Sequence, residues 1–168
     1  MGTTAGGGAR WSDDRGQLGG VETLPFGVLI FVIGTLLIVN AWAVVDAKLA
    51  TDAAAREATR RFVEAPVVDA SGRRDAEAAA VEAGLEALAA SGRDPDRGAV
   101  ALTGLSAPGG RDGYVRCARA TFTATYRVPA LTLPWIGGYG GGFVVSSSHS
   151  ELVDPFRNGV PGEAEACA

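Results

Sequence analysis

The chain has 168 residues, with 15 Lys or Arg against 19 Asp or Glu, one His, and a formal net charge of −4. Without a basic field it has nothing to hold a phosphate backbone, which excludes nucleic-acid binding. Its length leaves room for one small globular domain beyond any membrane segment, and richness in Ala, Gly and Arg with Lys48 as the only lysine suggests a GC-rich bacterial genome.

Residues 1–20 (MGTTAGGGARWSDDRGQLGG) are Gly-rich and polar, too poor in apolar side chains to order themselves, and read as a flexible leader. Thr23 to Val45 (TLPFGVLIFVIGTLLIVNAWAVV) then runs without a charge. At about 1.5 Å per residue it reaches roughly 35 Å, against a hydrocarbon core of about 30 Å, and so predicts a membrane-spanning helix over 23–45. A secretory signal peptide is the alternative, since Ala41-Trp42-Ala43 offers a small-x-small cleavage site behind Arg10 and Arg15. It fits less well, because the apolar run exceeds a signal h-region and Asp13 and Asp14 dilute the basic end. A core helix of a soluble fold rarely goes so far without a charge.

The helix starts near Pro25, which is tolerated in a first turn, and nothing in AWAVVDAKLATDAAAREATRRFVE (41–64) stops it before Pro66. One continuous helix over 21–65 is expected, apolar in its first half and amphipathic in its second. On that second half Val45, Leu49 and Ala53 recur at helical spacing, and Ala43, Ala47, Ala50, Ala54 and Ala58 make a stripe of small residues. Such a stripe admits another backbone closely, either a neighbouring subunit's helix or the chain's own domain. The positive-inside count does not decide orientation: Arg10 and Arg15 flank one end, Lys48, Arg56, Arg60 and Arg61 the other, and long tails translocate largely regardless of charge.

Residues 66–168 read as the globular domain. A second amphipathic helix is expected from about Arg74 to Ala90, with Val81, Leu85 and Leu88 on one face and Ser91-Gly92 as its stop. The period then changes to two. AVALTGL (99–105) reads as a strand joined through SAPGGRDG to a second, YVRCARATFTATYRV (114–128), with Tyr114, Ala118, Ala120, Phe122, Ala124, Tyr126 and Val128 on one face. A loop with Pro129, Pro134, Trp135, Tyr139 and a GGYGGG run precedes a third strand from Phe143 to about Val153. Two helices followed by three antiparallel strands make an α+β module.

Cys117 and Cys167 lack CxxC spacing and a nearby histidine, so they do not form a metal site; they are either one disulfide, suited to an extracytoplasmic domain, or two separate thiols. SSSHSE (146–151) gathers serines, His149 and Glu151, but strand geometry turns His149 and Ser148 to opposite faces and no nucleophile elbow exposes a serine. The GGYGGG run lacks the lysine of a phosphate loop. Neither feature points to an enzyme, a cofactor or a small-molecule substrate.

The order of features from Asp14 to Ala65, with an Arg-Gly, a glutamate a few residues later, an immediate apolar helix and an Ala/Arg/Thr-rich continuation, resembles the TadE-like family of Tad (tight-adherence, Flp-type) pilus assembly proteins; the ending HSELVDPFRNG has the same flavour. The resemblance implies a pilin-like fold and a minor pilin or pseudopilin, N-terminus in the cytoplasm and C-terminal domain outside. It implies a prepilin peptidase that removes the leader after Gly16, and a Glu22 that meets a neighbour's new N-terminal amine. Five residues separate Gly16 from Glu22 where the family's usual pattern has four, so cleavage after Gln17 is the alternative. The implied partners are membrane lipid, other pilin-like subunits and the assembly platform. Two readings without pili share the helix: a membrane-anchored extracytoplasmic binding domain, and a secreted domain cut after Ala43.

Overall fold

The structure, a computed structural model, describes residues 18–66, 69–110, 113–133, 137–138, 140–163 and 167. Helix α1 covers Leu18–Val63 and α2 covers Ala70–Ala90. Strands follow as β1 (Gly98–Ser106), β2 (Arg119–Val128), the two-residue β3 (Thr132–Leu133) and β4 (Gly137–Gly138), and β5 (Phe143–Leu152). By its contacts the chain divides into two units, Met1–Val39 and Asn40–Ala168.

In the first unit the described residues are helical. Leu24, Phe26, Ile30, Phe31 and Ile38 are exposed. The Thr35 hydroxyl donates to the Phe31 carbonyl at 2.8 Å, so this polar group is satisfied within its own helix. The most apolar 18-residue window of α1 is only 6% buried. A core helix of a soluble protein would bury such a face, so the apolar first half of α1 is long enough to be a membrane anchor and is not itself a core element. It begins seven residues before the expected Pro25 start, and Pro25 lies inside it.

The second unit packs its helices on one face of a sheet and is built on little side-chain volume. Its sheet has the order β1-β2-β5, antiparallel throughout. Alternation in β2 buries Ala120, Phe122, Ala124, Tyr126 and Val128 against the helices, while Thr121, Thr123 and Thr125 face outward. The outward hydroxyls bond sideways: Thr123 to Thr103 at 2.8 Å and to Ser148 at 2.9 Å, Thr121 to Ser150 at 2.7 Å. A bulge at Leu102/Gly104 lets Thr103 join this row.

Helix α2 starts at Ala70, earlier than Arg74, because Asp69 caps it. Its carboxylate accepts from Gly72 N–H and from Ser71 Oγ, each at 2.7 Å. These bonds, the Gly72 one foremost, hold the Asp69 carboxyl below its ordinary pKa. The helix ends at Ser91, and Gly92 takes φ +72°, where a side chain would be strained.

The second strand is shorter than its alternation suggests. β2 begins at Arg119, not Tyr114, because Cys117 adopts φ 64° and turns the chain out of the ladder. The 114–118 segment pairs instead with the C-terminal tail: Cys117 N–H donates to Val153 O at 3.0 Å, Val153 N–H to Ala118 O at 2.8 Å, and Arg116 N–H to Pro161 O at 2.8 Å. Tyr114 and Ala118 are buried with the β2 face all the same.

Candidate functional site

Of the two residues expected at the processing site, Gly16 and Gln17 both lie outside the described residues. Glu22 falls within α1, but its side chain is outside them. The same holds for the side chains of Trp135 and Tyr139.

The alanine stripe has a definite place. Ala47, Ala50, Ala54 and Ala58 are buried within the chain's own core, with Ala43 partly buried against it. The amphipathic half of α1 therefore packs on its own domain, not a neighbour, and the stripe is not an open face. Small residues let α1 approach closely enough for direct hydrogen bonds to β5. Thr51 Oγ1 meets Ser147 Oγ at 3.0 Å, Thr59 Oγ1 reaches the His149 carbonyl at 3.2 Å, and Lys48 Nζ donates to the Ser146 carbonyl. The same closeness governs α2, where a side chain at Gly84 would stand 3.1 Å from the Ala54 carbonyl oxygen and 3.0 Å from Val100. The stripe of Val45, Leu49 and Ala53 is the one left exposed.

The far end of α1 is closed by groups that its own sequence does not contain. The Tyr114 hydroxyl sits 2.8 Å from the Val63 carbonyl, 3.1 Å from that of Ala65 and 3.3 Å from that of Phe62, and Arg157 also donates to Val63 O. These carbonyls are the acceptors a helix C-terminus leaves open. Burial raises the Tyr114 pKa, and the positive charge of Arg157 works the other way. The Tyr114 ring meets Phe62 edge-on at 5.3 Å, and Phe62 meets Phe122 at 5.4 Å, so the largest apolar groups concentrate here.

At the other end of the domain, Asn40 is buried and its Oδ1 accepts the Leu131 backbone N–H at 3.1 Å. This ties the loop after β2 to α1. Asn40 went unread in the sequence, although a lone amide in an apolar run is a signal that something must satisfy it.

Cys117 and Cys167 are joined in a disulfide across 50 residues of chain, with Cα atoms 5.0 Å apart. In the serine-rich strand, His149 Nε2 contacts Glu151 Oε1 at 3.1 Å on one face. Ser147, on that same face, is buried and engaged by Thr51, and Ser148 bonds Thr123 on the other. Among the described residues no group of three or more His, Cys, Asp or Glu could hold a metal ion. An open groove runs along the outer face of α2, lined by Val81, Leu85 and Pro95 with Glu77, Glu82 and Asp96 around them.

No family model, no curated protein and no solved structure matches this chain.

Proposed function

We propose that this chain is a non-catalytic, single-pass membrane component of a Tad- or Flp-type pilus or a related secretion apparatus, a minor pilin or pseudopilin with its N-terminus cytoplasmic and its α+β domain outside. The observation that carries the membrane part is the exposed apolar half of α1, an element that only lipid or a partner would cover. Support for the pilus part is the order of Arg15-Gly16, Glu22, apolar helix and Ala/Arg/Thr-rich continuation. The Cys117–Cys167 disulfide suits an oxidising compartment and so favours the outward orientation. A carboxylate at Glu22, at the edge of hydrocarbon, gains from a cationic partner such as a neighbour's amine.

A second reading, a membrane-anchored extracytoplasmic binding domain unrelated to pili, draws on one observation. The small-residue stripe that would admit a neighbour's helix is occupied by the chain's own sheet. Envelopes from the native host separate the two. Under the pilus reading, carbonate washing retains the protein, N-terminal sequencing of the mature form begins at Gln17 or Leu18, and pilin-like subunits co-purify. Retention with an intact Met1 and no such subunits leaves the anchored binding domain. Release of the full-length chain by carbonate overturns both.

A further inference from the structure

The helices cover one face of the sheet and leave the other open. On that open face β2 and β5 oppose three threonines to three exposed serines, Thr121 to Ser150, Thr123 to Ser148 and Thr125 to Ser146. Most of these hydroxyls are held in place: Thr123 bonds both Thr103 and Ser148, and Thr121 bonds Ser150. Arg119 and Arg127 close the two ends of the array, on the same parity of β2 and roughly 27 Å apart along it. Both are exposed. Among the described residues neither guanidinium has a hydrogen bond or ion pair, whereas Arg56 and Arg60 pair with Asp52 and Glu64. No position of β1, β2 or β5 that shares this face is a carboxylate, in a chain whose net charge is −4. At one end the face deepens into a hollow of about 300 Å³, lined by one carboxylate, Asp96, against two guanidiniums, Arg97 and Arg127; Arg97 is itself drawn to Asp94 at 3.4 Å.

We propose that this face binds a glycan strand in which acidic sugars are interspersed among neutral ones. The inference goes beyond both readings above and needs only that the domain face the outside of the envelope, which they share. The spacing of charge sets the class of polymer. A phosphate backbone carries a charge every few ångströms and calls for a dense basic field. Two guanidiniums with hydroxyls between them suit instead a mostly neutral, hydroxylated chain with carboxylates at intervals. Each guanidinium fork matches a planar carboxylate through two parallel hydrogen bonds. A hydroxyl that gives its proton to a neighbour still offers a lone pair outward, here to sugar O–H groups, and because the rows are already bonded they lose little rotational freedom on contact. The same face is a poor match for a protein partner: its large aliphatics, Leu152 and Val144, stand at opposite ends, and no aromatic lies between them to anchor a buried core.

Equilibrium binding by the full chain in detergent micelles tests this. The probes are a hyaluronan oligosaccharide, in which a uronate alternates with a neutral amino sugar, and the same oligosaccharide with its carboxyls reduced to alcohols. The native chain should bind the first, and the second about tenfold more weakly or worse. Arg119→Gln combined with Arg127→Gln should weaken binding of the acidic probe by a similar factor. Thr123→Val combined with Ser148→Ala removes a hydroxyl row and no charge, and should weaken it several-fold; urea midpoints check folding, and Ser150→Ala in the adjacent row takes its place if that pair does not fold. Arg61→Gln combined with Arg74→Gln, both exposed on the helices, should bind as the native chain does. Absence of binding by the native chain overturns the proposal. So does an equal loss in the helix pair, which would mean attraction to positive charge anywhere on the domain, and so does native affinity in a folded hydroxyl variant. Tighter binding of inorganic polyphosphate than of hyaluronan overturns it in favour of a bare polyanion. None of these outcomes bears on the membrane anchor or on the pilus reading.

Discussion

Tyr114 shows how one hydroxyl can finish an element fifty residues away in sequence. A helix ending in Arg60, Arg61, Phe62 and Val63 has suitable cations for its dipole, but Arg60 is occupied with Glu64 at 3.2 Å, and the last carbonyls are closed by Tyr114 and Arg157. Replacing Tyr114 with Phe keeps the edge contact to Phe62 and removes only the donor. It should cost about 1 to 2 kcal/mol, read as a lower urea midpoint of the full chain in detergent. Its pH signature is distinct. Because the folded pKa lies above the unfolded value of about 10, the folded state holds its proton longer; this contribution is fully present below that pH and is lost as pH rises through the folded pKa. The native chain should therefore lose stability in alkali in a way that the Tyr114→Phe variant does not. At Asp69 the sign reverses: its lowered pKa contributes stability above the unfolded carboxyl range that is lost as pH falls through the folded value, and Asp69→Asn should flatten the acid limb of the same titration.

At the scale of elements, close approach through small residues decides the fold. Ala47, Ala54 and Ala58 are fully buried, so a larger group has nowhere to go. Ala54→Leu should destabilise the domain by about 1 to 3 kcal/mol through overpacking, whereas Ala53→Leu, on the exposed side, should leave the urea midpoint near its native value. Equal effects of the two would mean that the helix is not seated as described. Much of this was legible in the chain. Period two in ATFTATYRV placed the buried face of β2, and the uncharged run from Thr23 set the apolar half of α1. Two things were not. A stripe of alanines has the same pattern whether its partner is a neighbour or the chain's own sheet, and only tertiary contacts distinguish them. The early end of the β2 alternation was hidden because Tyr114 and Ala118 keep the parity of a strand while Cys117 leaves strand geometry, a single positive φ that residue type does not signal in cysteine. Asn40 was passed over because its acceptor role depends on a loop ninety-one residues away.

At the scale of the molecule, the C-terminal tail is part of the domain and not an appendage. It supplies Val153 and Pro161 as backbone partners to 114–118, Arg157 to the end of α1, and Cys167 to the disulfide. Breaking the bond with Cys167→Ser should cost on the order of 4 kcal/mol for a closed loop of 50 residues. The loss should appear as a lower thermal midpoint that reducing agent reproduces in the native chain and does not deepen in the variant.

The same bond has a consequence for survival under attack. Because it closes a covalent ring that holds β2, β5 and the stretch between them, a single proteolytic nick anywhere from residue 118 to 166 cannot shed a fragment. The cut chain should migrate as one species on a non-reducing gel and part into two only when thiol is added. In an environment with proteases, the glycine-rich stretch near residue 140 could be severed without the sheet losing an edge strand.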